Sequence, residues 1–518
     1  ERQPVCGPCS ISSRDCVFPD IGSRHNGEPP SEITEISTAQ TTTDLASLRA
    51  LVAEESSSPS HVVPQVVAEA ATTPLQQSQV SSLPAAYGYT YSPDTVASEL
   101  LTADLASTRW LGLLAHDAAQ ADKGFSLTST LNVPSRVSEH EDPEVTSEHY
   151  AWQLNHDIPL QSHEAYLFRT FVEHAASWLD LCDPRKHFST HATRLALRNL
   201  GLMKAILALA SRHAIARTQT PETDVNVPIQ YYYETLHYVQ ESLQYTTYTR
   251  SEELLATVII ISTYEMLDDA NSNWKRHLKG VFWIQRSQEV HGASGGLRQA
   301  VWWAWLRQDL WAAFREKRAC FSFWRPIKVV SELSQDELAN RAIYLLSQAV
   351  NYCAESASTS MAMSEKVQAS ETLLAALEQW RASLGPAYRP LPTPHLANSA
   401  FRPLWIHPPQ YGVAIQAYHF AKILITLHRP AEGGFHTYLQ TQRVLSDAVD
   451  AICGIAMELK DEGCQILSAQ CLFGAGLCTQ DMKNRDIIIA LIRSCEARTG
   501  WPMSNLIDDL RAEWASFS

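Results

Sequence analysis

The 518-residue chain predicts an all-α fold, a multi-helix body preceded by a poorly ordered arm and a short cysteine-bearing segment. From about residue 150 onward apolar residues recur at helical spacing, and no strand-like alternation survives beside them. Ahead of that point, residues 19–149 are dominated by Ser, Thr, Pro, Gln and Ala, as in STAQTTTD (37–44) and TTPLQQSQVSSLP (72–84). Such a segment buries too little apolar surface to offset the entropy of ordering it.

Within the body, helices are expected at 161–181 and 190–217 on either side of a CDP turn (182–184). TPETD (220–224) then separates the second of these from a helix at 228–248. Helices at 251–268, 272–290 and 296–318 follow, the last two parted by GASGG (292–296). Two more, 336–355 and 366–384, end at the proline-rich LGPAYRPLPTP (384–394). The final four are expected at 408–428, 438–460, 464–480 and 484–498. Trp274, Trp283, Trp302, Trp303, Trp305 and Trp311 would put large rings on both sides of adjacent helices, as buried helix–helix contacts require.

Two stretches of the arm break its polar character. TDLASLRALVAEE (43–55) sets Leu45, Leu48 and Val52 on one helical face, but two heptads are too short to zip two chains stably. DTVASELLTADLASTRWLGLLAHD (94–117) mixes Leu, Trp110 and acidic residues at helical spacing. Its stripe is expected to dock on the body; the other reading is an activation segment that folds on a coactivator.

Composition limits the function classes. A hydrophobic content of 45% is ample for a core, and a formal charge of −15 argues against an extended nucleic-acid surface on the body. Eight cysteines from Cys182 to Cys495 are scattered along apolar helical stretches, as small buried hydrophobes in a reducing compartment would be. No N-x-S/T acceptor and no signal peptide is visible, which fits an intracellular chain. The longest apolar stretches, 254–267 and 411–427, are short or carry Lys422, so no membrane span is expected.

At the front of the chain Cys6, Cys9 and Cys16 are spaced C-x2-C-x6-C. A segment rich in Ser, Gly and Pro has no apolar core, so zinc–sulfur bonds of about 2.3 Å would have to organise it. The same residues also fit free thiols, or a one-zinc site completed by His25.

CGPCSISSRDC (6–16) resembles the second half of the binuclear zinc cluster of fungal transcription factors. Pro4 stands two residues before Cys6 and Phe18 two after Cys16, as the family pattern has them. The resemblance implies zinc (Zn2+) ligation by all three, with Cys6 bridging two ions and Cys9 and Cys16 completing one of them. The chain opens at Glu1 rather than Met, so the other thiolates and the basic helix that reads the major groove are expected upstream. The body is similar to the regulatory domain of the same factors. WLDLCDPRKHFSTHATRLALRNLGLMKAILALASRH (178–213), WKRHLKGVFWIQRSQ (274–288), AVWWAWLRQDLWAAFREKR (300–318) and YGVAIQAYHFAKILITLHRP (411–430) carry that likeness in order. It implies half a cluster at 1–18, a linker at 19–149 and an all-helical regulatory domain at 150–518. The function implied is a nuclear, zinc-dependent regulator of RNA polymerase II genes that touches DNA through the intact cluster. Coactivators or the transcription machinery would be its protein partners, and a homodimer fits the family.

Rival chemistry lacks its context. GASGG fits G-x-S-x-G, but a nucleophile elbow needs a strand before Ser294, and the preceding residues have helical period. His187 and His191 lie four apart without the intervening Glu of a zinc protease and are expected at the surface or at a cap. Asp268 and Asp269 are expected to face solvent, and GAGLC (474–478) is expected to mark close helix packing. No catalytic or cofactor-binding residue is assigned. A protein-interaction regulator without DNA contact and an intracellular hydrolase using Ser294 remain the alternatives.

Overall fold

The computed structural model describes residues 153–516, apart from short breaks at 219–225, 244, 269–273, 323, 358–360, 395–398 and 431–432. Cys6, Cys9, Cys16, His25, the arm and its two amphipathic stretches, and Asp269 lie outside the described residues.

The body is all-α. Helix α1 (Ser162–Thr170) passes through a wider π-type turn, Phe171–Ala175, into the short α2 (Ala176–Leu179). A second π-type turn, Phe188–Ala192, opens α3 (Thr193–Ala196). Then come α4 (Leu200–Thr218), α5 (Asn226–Ser242), α6 (Glu252–Asp268), α7 (Trp274–Ser287) and α8 (Gly296–Glu316). The second half holds α9 (Gln335–Ala357), α10 (Met363–Ala382), α11 (Pro409–His428), α12 (Phe435–Glu458), α13 (Glu462–Cys478), α14 (Met482–Thr499) and α15 (Ser504–Ala515). Among the described residues the only β-type pairing is an isolated antiparallel bridge between Leu391 and Trp405.

Two departures from the expected helices have local causes. The single helix expected at 190–217 is broken between α3 and α4 by Asn199. Its Oδ1 accepts the Leu202 N–H at 2.8 Å, capping α4, while its Nδ2 donates to the Tyr238 hydroxyl at 2.8 Å. Helix α15 was not expected at all. Its buried residues are Ile507, Leu510, Glu513 and Trp514, and the Trp514 indole donates to the Gly476 carbonyl at 3.0 Å.

Helices α6 and α11 are buried nearly all round, which explains why 254–267 and 411–427 read as continuous apolar runs. No helix among the described residues is long and apolar enough to cross a membrane. Helix α11 packs on α9, α12 and α13, and α8 packs on α6, α7 and α9. GAGLC is a close-packing segment, as expected: a Cβ on Gly474 would lie 2.2 Å from the Phe420 ring. Trp283, Trp302, Trp303 and Trp305 are buried and Trp311 is half-buried, while the Trp274 side chain lies outside the described residues. Trp302 meets Trp303 and Trp324 edge to face, each at 4.8 Å between ring centroids.

Candidate functional site

Three consecutive polar residues, Arg307, Gln308 and Asp309, are buried in the middle of α8. Successive helix positions point about 100° apart, so burying all three requires neighbours on three sides. Each side chain serves a different one. Asp309 accepts the Phe321 N–H at 2.7 Å and pairs with Arg318 at 2.8 Å. Burial pushes the Asp309 carboxyl up, and the Arg318 charge opposes that shift. Gln308 accepts the Ser262 hydroxyl at 2.8 Å and donates to the Thr263 hydroxyl at 2.9 Å, tying α8 to α6.

Arg307 faces the end of α2, where the helix leaves carbonyls without intrahelical partners. Its Nη2 donates to the Leu179 carbonyl at 2.8 Å and the Trp178 carbonyl at 3.3 Å, and its Nη1 donates to the Leu181 carbonyl at 3.3 Å. A cation at the negative end of a helix is favourable, although burial lowers the Arg307 pKa to about 10. Asp180 is buried nearby but serves the next segment. Its carboxylate accepts the Phe188 N–H at 2.7 Å, the Ser189 N–H at 3.0 Å and the Ser189 hydroxyl at 2.7 Å. Desolvation raises its pKa. Among the described residues Arg307 has no ion-pair partner.

Between α2, α6, α8 and α13 lies a cavity of about 50 Å³, lined on its polar side by Trp178, Thr263, Arg307, Gln308 and Gln470. Trp501 closes one end and stacks edge to face on Trp178 at 5.4 Å. Behind Trp178 sits the fully buried His213, 4.9 Å away between centroids, whose Nε2 donates to the Thr499 carbonyl at 2.7 Å. Burial lowers the His213 pKa to about 4, so its ring is neutral. A larger, open cleft of about 420 Å³ lies between the 404–409 strap and the end of α12, with Trp405 at its rim and 42% exposed.

The residues singled out in the sequence fall elsewhere. The Ser294 hydroxyl accepts the His291 N–H at 2.9 Å in the turn between α7 and α8, a turn role with no strand before it. His187 bonds Asp183 through Nδ1 at 2.7 Å beside the CDP turn, and His191 lies 3.4 Å from Glu252 at the surface, so both have the cap and surface roles expected. Asp268, expected in solvent, is half-buried and pairs with Arg212 at the end of α6. Among the described residues no group of three or more His, Cys, Asp or Glu is placed to hold a metal ion. All eight body cysteines are free thiols, and most are buried. The seam itself went unread in the sequence. Its signal was an R-Q-D triplet inside a tryptophan-rich helix, where polar residues on three faces are out of place.

Residues 166–288, from within α1 to just past α7, match the family described as fungal specific transcription factor domain. The chain is also similar to the transcription activator AMTR1 of Alternaria alternata, with 22% identity over 494 residues, covering 69% of this chain and 64% of that protein. It therefore spans just under two thirds of the length of this relative. No solved structure matches. Together these likenesses support a fungal transcription factor; the domain match includes α2 and α6 but ends before Arg307, Gln308 and Asp309 on α8.

Proposed function

We propose that the chain belongs to a zinc-dependent, sequence-specific regulator of RNA polymerase II genes that acts in the nucleus. The observation that carries this is the domain match over 166–288, and the similarity to a transcription activator supports it. In this reading Cys6, Cys9 and Cys16 hold zinc in one half of a shared-sulfur cluster, and the intact cluster anchors the protein on DNA. The helical body takes no part in base reading. It controls activity through contacts with coactivators or the transcription machinery, as a monomer or a homodimer. No catalytic step is assigned to it.

The test uses the natural gene product including whatever precedes Glu1. Bound zinc measured by elemental analysis, selection of a preferred DNA sequence, and loss of both on Cys9→Ala are the expected results. A protein that activates a reporter when tethered to a promoter, yet holds no zinc and selects no DNA, would instead be a protein-interaction regulator.

A further inference from the structure

The cavity beside α2 is rich in unused donors. Arg307 has five N–H groups, and its three hydrogen bonds leave Nε–H and one Nη1 hydrogen uncommitted. The Trp178 Nε1–H is buried and finds no partner among the described residues. Gln470, 7% exposed, lines the same space and forms no hydrogen bond among the described residues. No Asp or Glu lines the cavity. Arg307 is met by carbonyls and, through space, by Asp180 and Asp183, but among the described residues no carboxylate touches it, and the Trp178 indole N–H beside it is left without an acceptor, so the cavity offers donors that an anion can take up.

We propose that this cavity binds the carboxylate of a short-chain monocarboxylic acid. The planar guanidinium fork matches a planar carboxylate, the indole N–H can serve an acceptor oxygen, and the Gln470 amide adds further donors. The rest of the lining is aliphatic, including Leu179, Met266, Ala304 and Leu467, and suits one or two carbons beyond the carboxylate. Size points the same way. At about 50 Å³ the space is a fraction of the ~150 Å³ cavity that accepts benzene. A phosphate ester would leave oxygens against aliphatic walls, and a halide would leave part of the donor set unused.

The inference rests on the cavity alone and stands whether or not the chain binds DNA. Its test is thermal unfolding and titration calorimetry of the full chain with formate, acetate, propionate, butyrate and octanoate. Chloride at matched ionic strength and neutral acetamide serve as comparisons. A saturable rise in Tm with acetate or propionate, absent with acetamide and chloride, is expected. Affinity that falls beyond propionate supports a small acid held within the cavity; affinity that keeps rising to octanoate would overturn the short-chain assignment. Trp178→Phe keeps an aromatic ring but removes the N–H, and should weaken acetate about tenfold. Gln470→Met, close in size, should weaken it as well, and Ala304→Leu should abolish binding by filling the space. Equal responses to acetate and chloride, no saturable response, or unchanged affinity in both folded variants Trp178→Phe and Gln470→Met would overturn the proposal.

Discussion

At Gly474 a single added carbon decides whether two helices can touch. Its Cβ would lie 2.2 Å from one Phe420 carbon and 2.4 Å from another, and that ring is wedged against Phe314. Gly474→Ala should therefore destabilise the body by about 1–3 kcal/mol, seen as a lower urea midpoint with little change in slope. His213 sets a different residue-scale expectation. Its folded pKa is depressed from 6.5 to about 4 by burial, so the unfolded chain binds more protons between those values. Stability is then fully present above pH 6.5 and is lost as pH falls towards 4, by up to about 3 kcal/mol from this group. Urea unfolding at stepped pH should show that decline, and His213→Gln, which cannot titrate, should flatten part of it. An unchanged slope in the variant would show that carboxylates alone set the acid limb.

Among the elements, the joint between α3 and α4 depends on Asn199, whose two amide ends hold Leu202 N–H and the Tyr238 hydroxyl. Asn199→Ala removes the cap and the cross-helix bond together and should cost about 1–2 kcal/mol, measurable as a fall in Tm. The same joint shows how far helical period carries a reader. Apolar spacing runs through Leu195, Leu197, Leu200 and Leu202 without interruption, so the break was invisible; it is made by a side chain that finds its partner 39 residues away. Long helices such as α9 and α12 were legible because many turns repeat the same face, and α11 because its apolar run is continuous. The 12-residue α15 has a buried face of few residues and gave too weak a signal. The seam was less legible still. Arg307 binds carbonyls 126 to 129 positions earlier in the chain, and nothing in local spacing encodes such a pairing. Ser294 and His187 were legible as turn and cap residues because their partners His291 and Asp183 are three and four positions away, whereas the contact of His191 with Glu252, 61 positions on, was not.

For the whole molecule, the division between a cysteine-bearing N-terminal segment and a helical body leads to an expectation about metal removal. Among the described residues no side-chain cluster is suited to a metal ion, so the body owes its cohesion to apolar burial and to polar joints such as Asp309 with Arg318. Prolonged treatment of the full chain with a zinc chelator should leave the main thermal transition, followed by circular dichroism at the helical band, within about 1–2 °C of its starting value. A large drop would place a structural ion inside the body and contradict that reading. The formal charge of −15 is carried mostly by residues 1–149; over residues 150–518 Asp and Glu outnumber Lys and Arg by only two, so the charge that discourages contact with nucleic acid belongs to the arm and not to the body.

The eight thiols distributed from Cys182 to Cys495 give the body a built-in record of its own opening. Burial pushes Cys182, Cys478 and Cys495 up to about 12 and Cys353, Cys453 and Cys471 higher still, so the reactive thiolate is scarce while the fold is closed. An alkylating reagent should mark the buried Cys453, Cys464, Cys471 and Cys495 only when their helices swing free, and peptide mass mapping would then time the release of α12, α13 and α14, with the partly buried Cys353 reporting on α9 against a folded-state background. If α13 and α14 loosen before α12, Cys471 and Cys495 will be modified first, and the order of unfolding can be followed without introducing any probe.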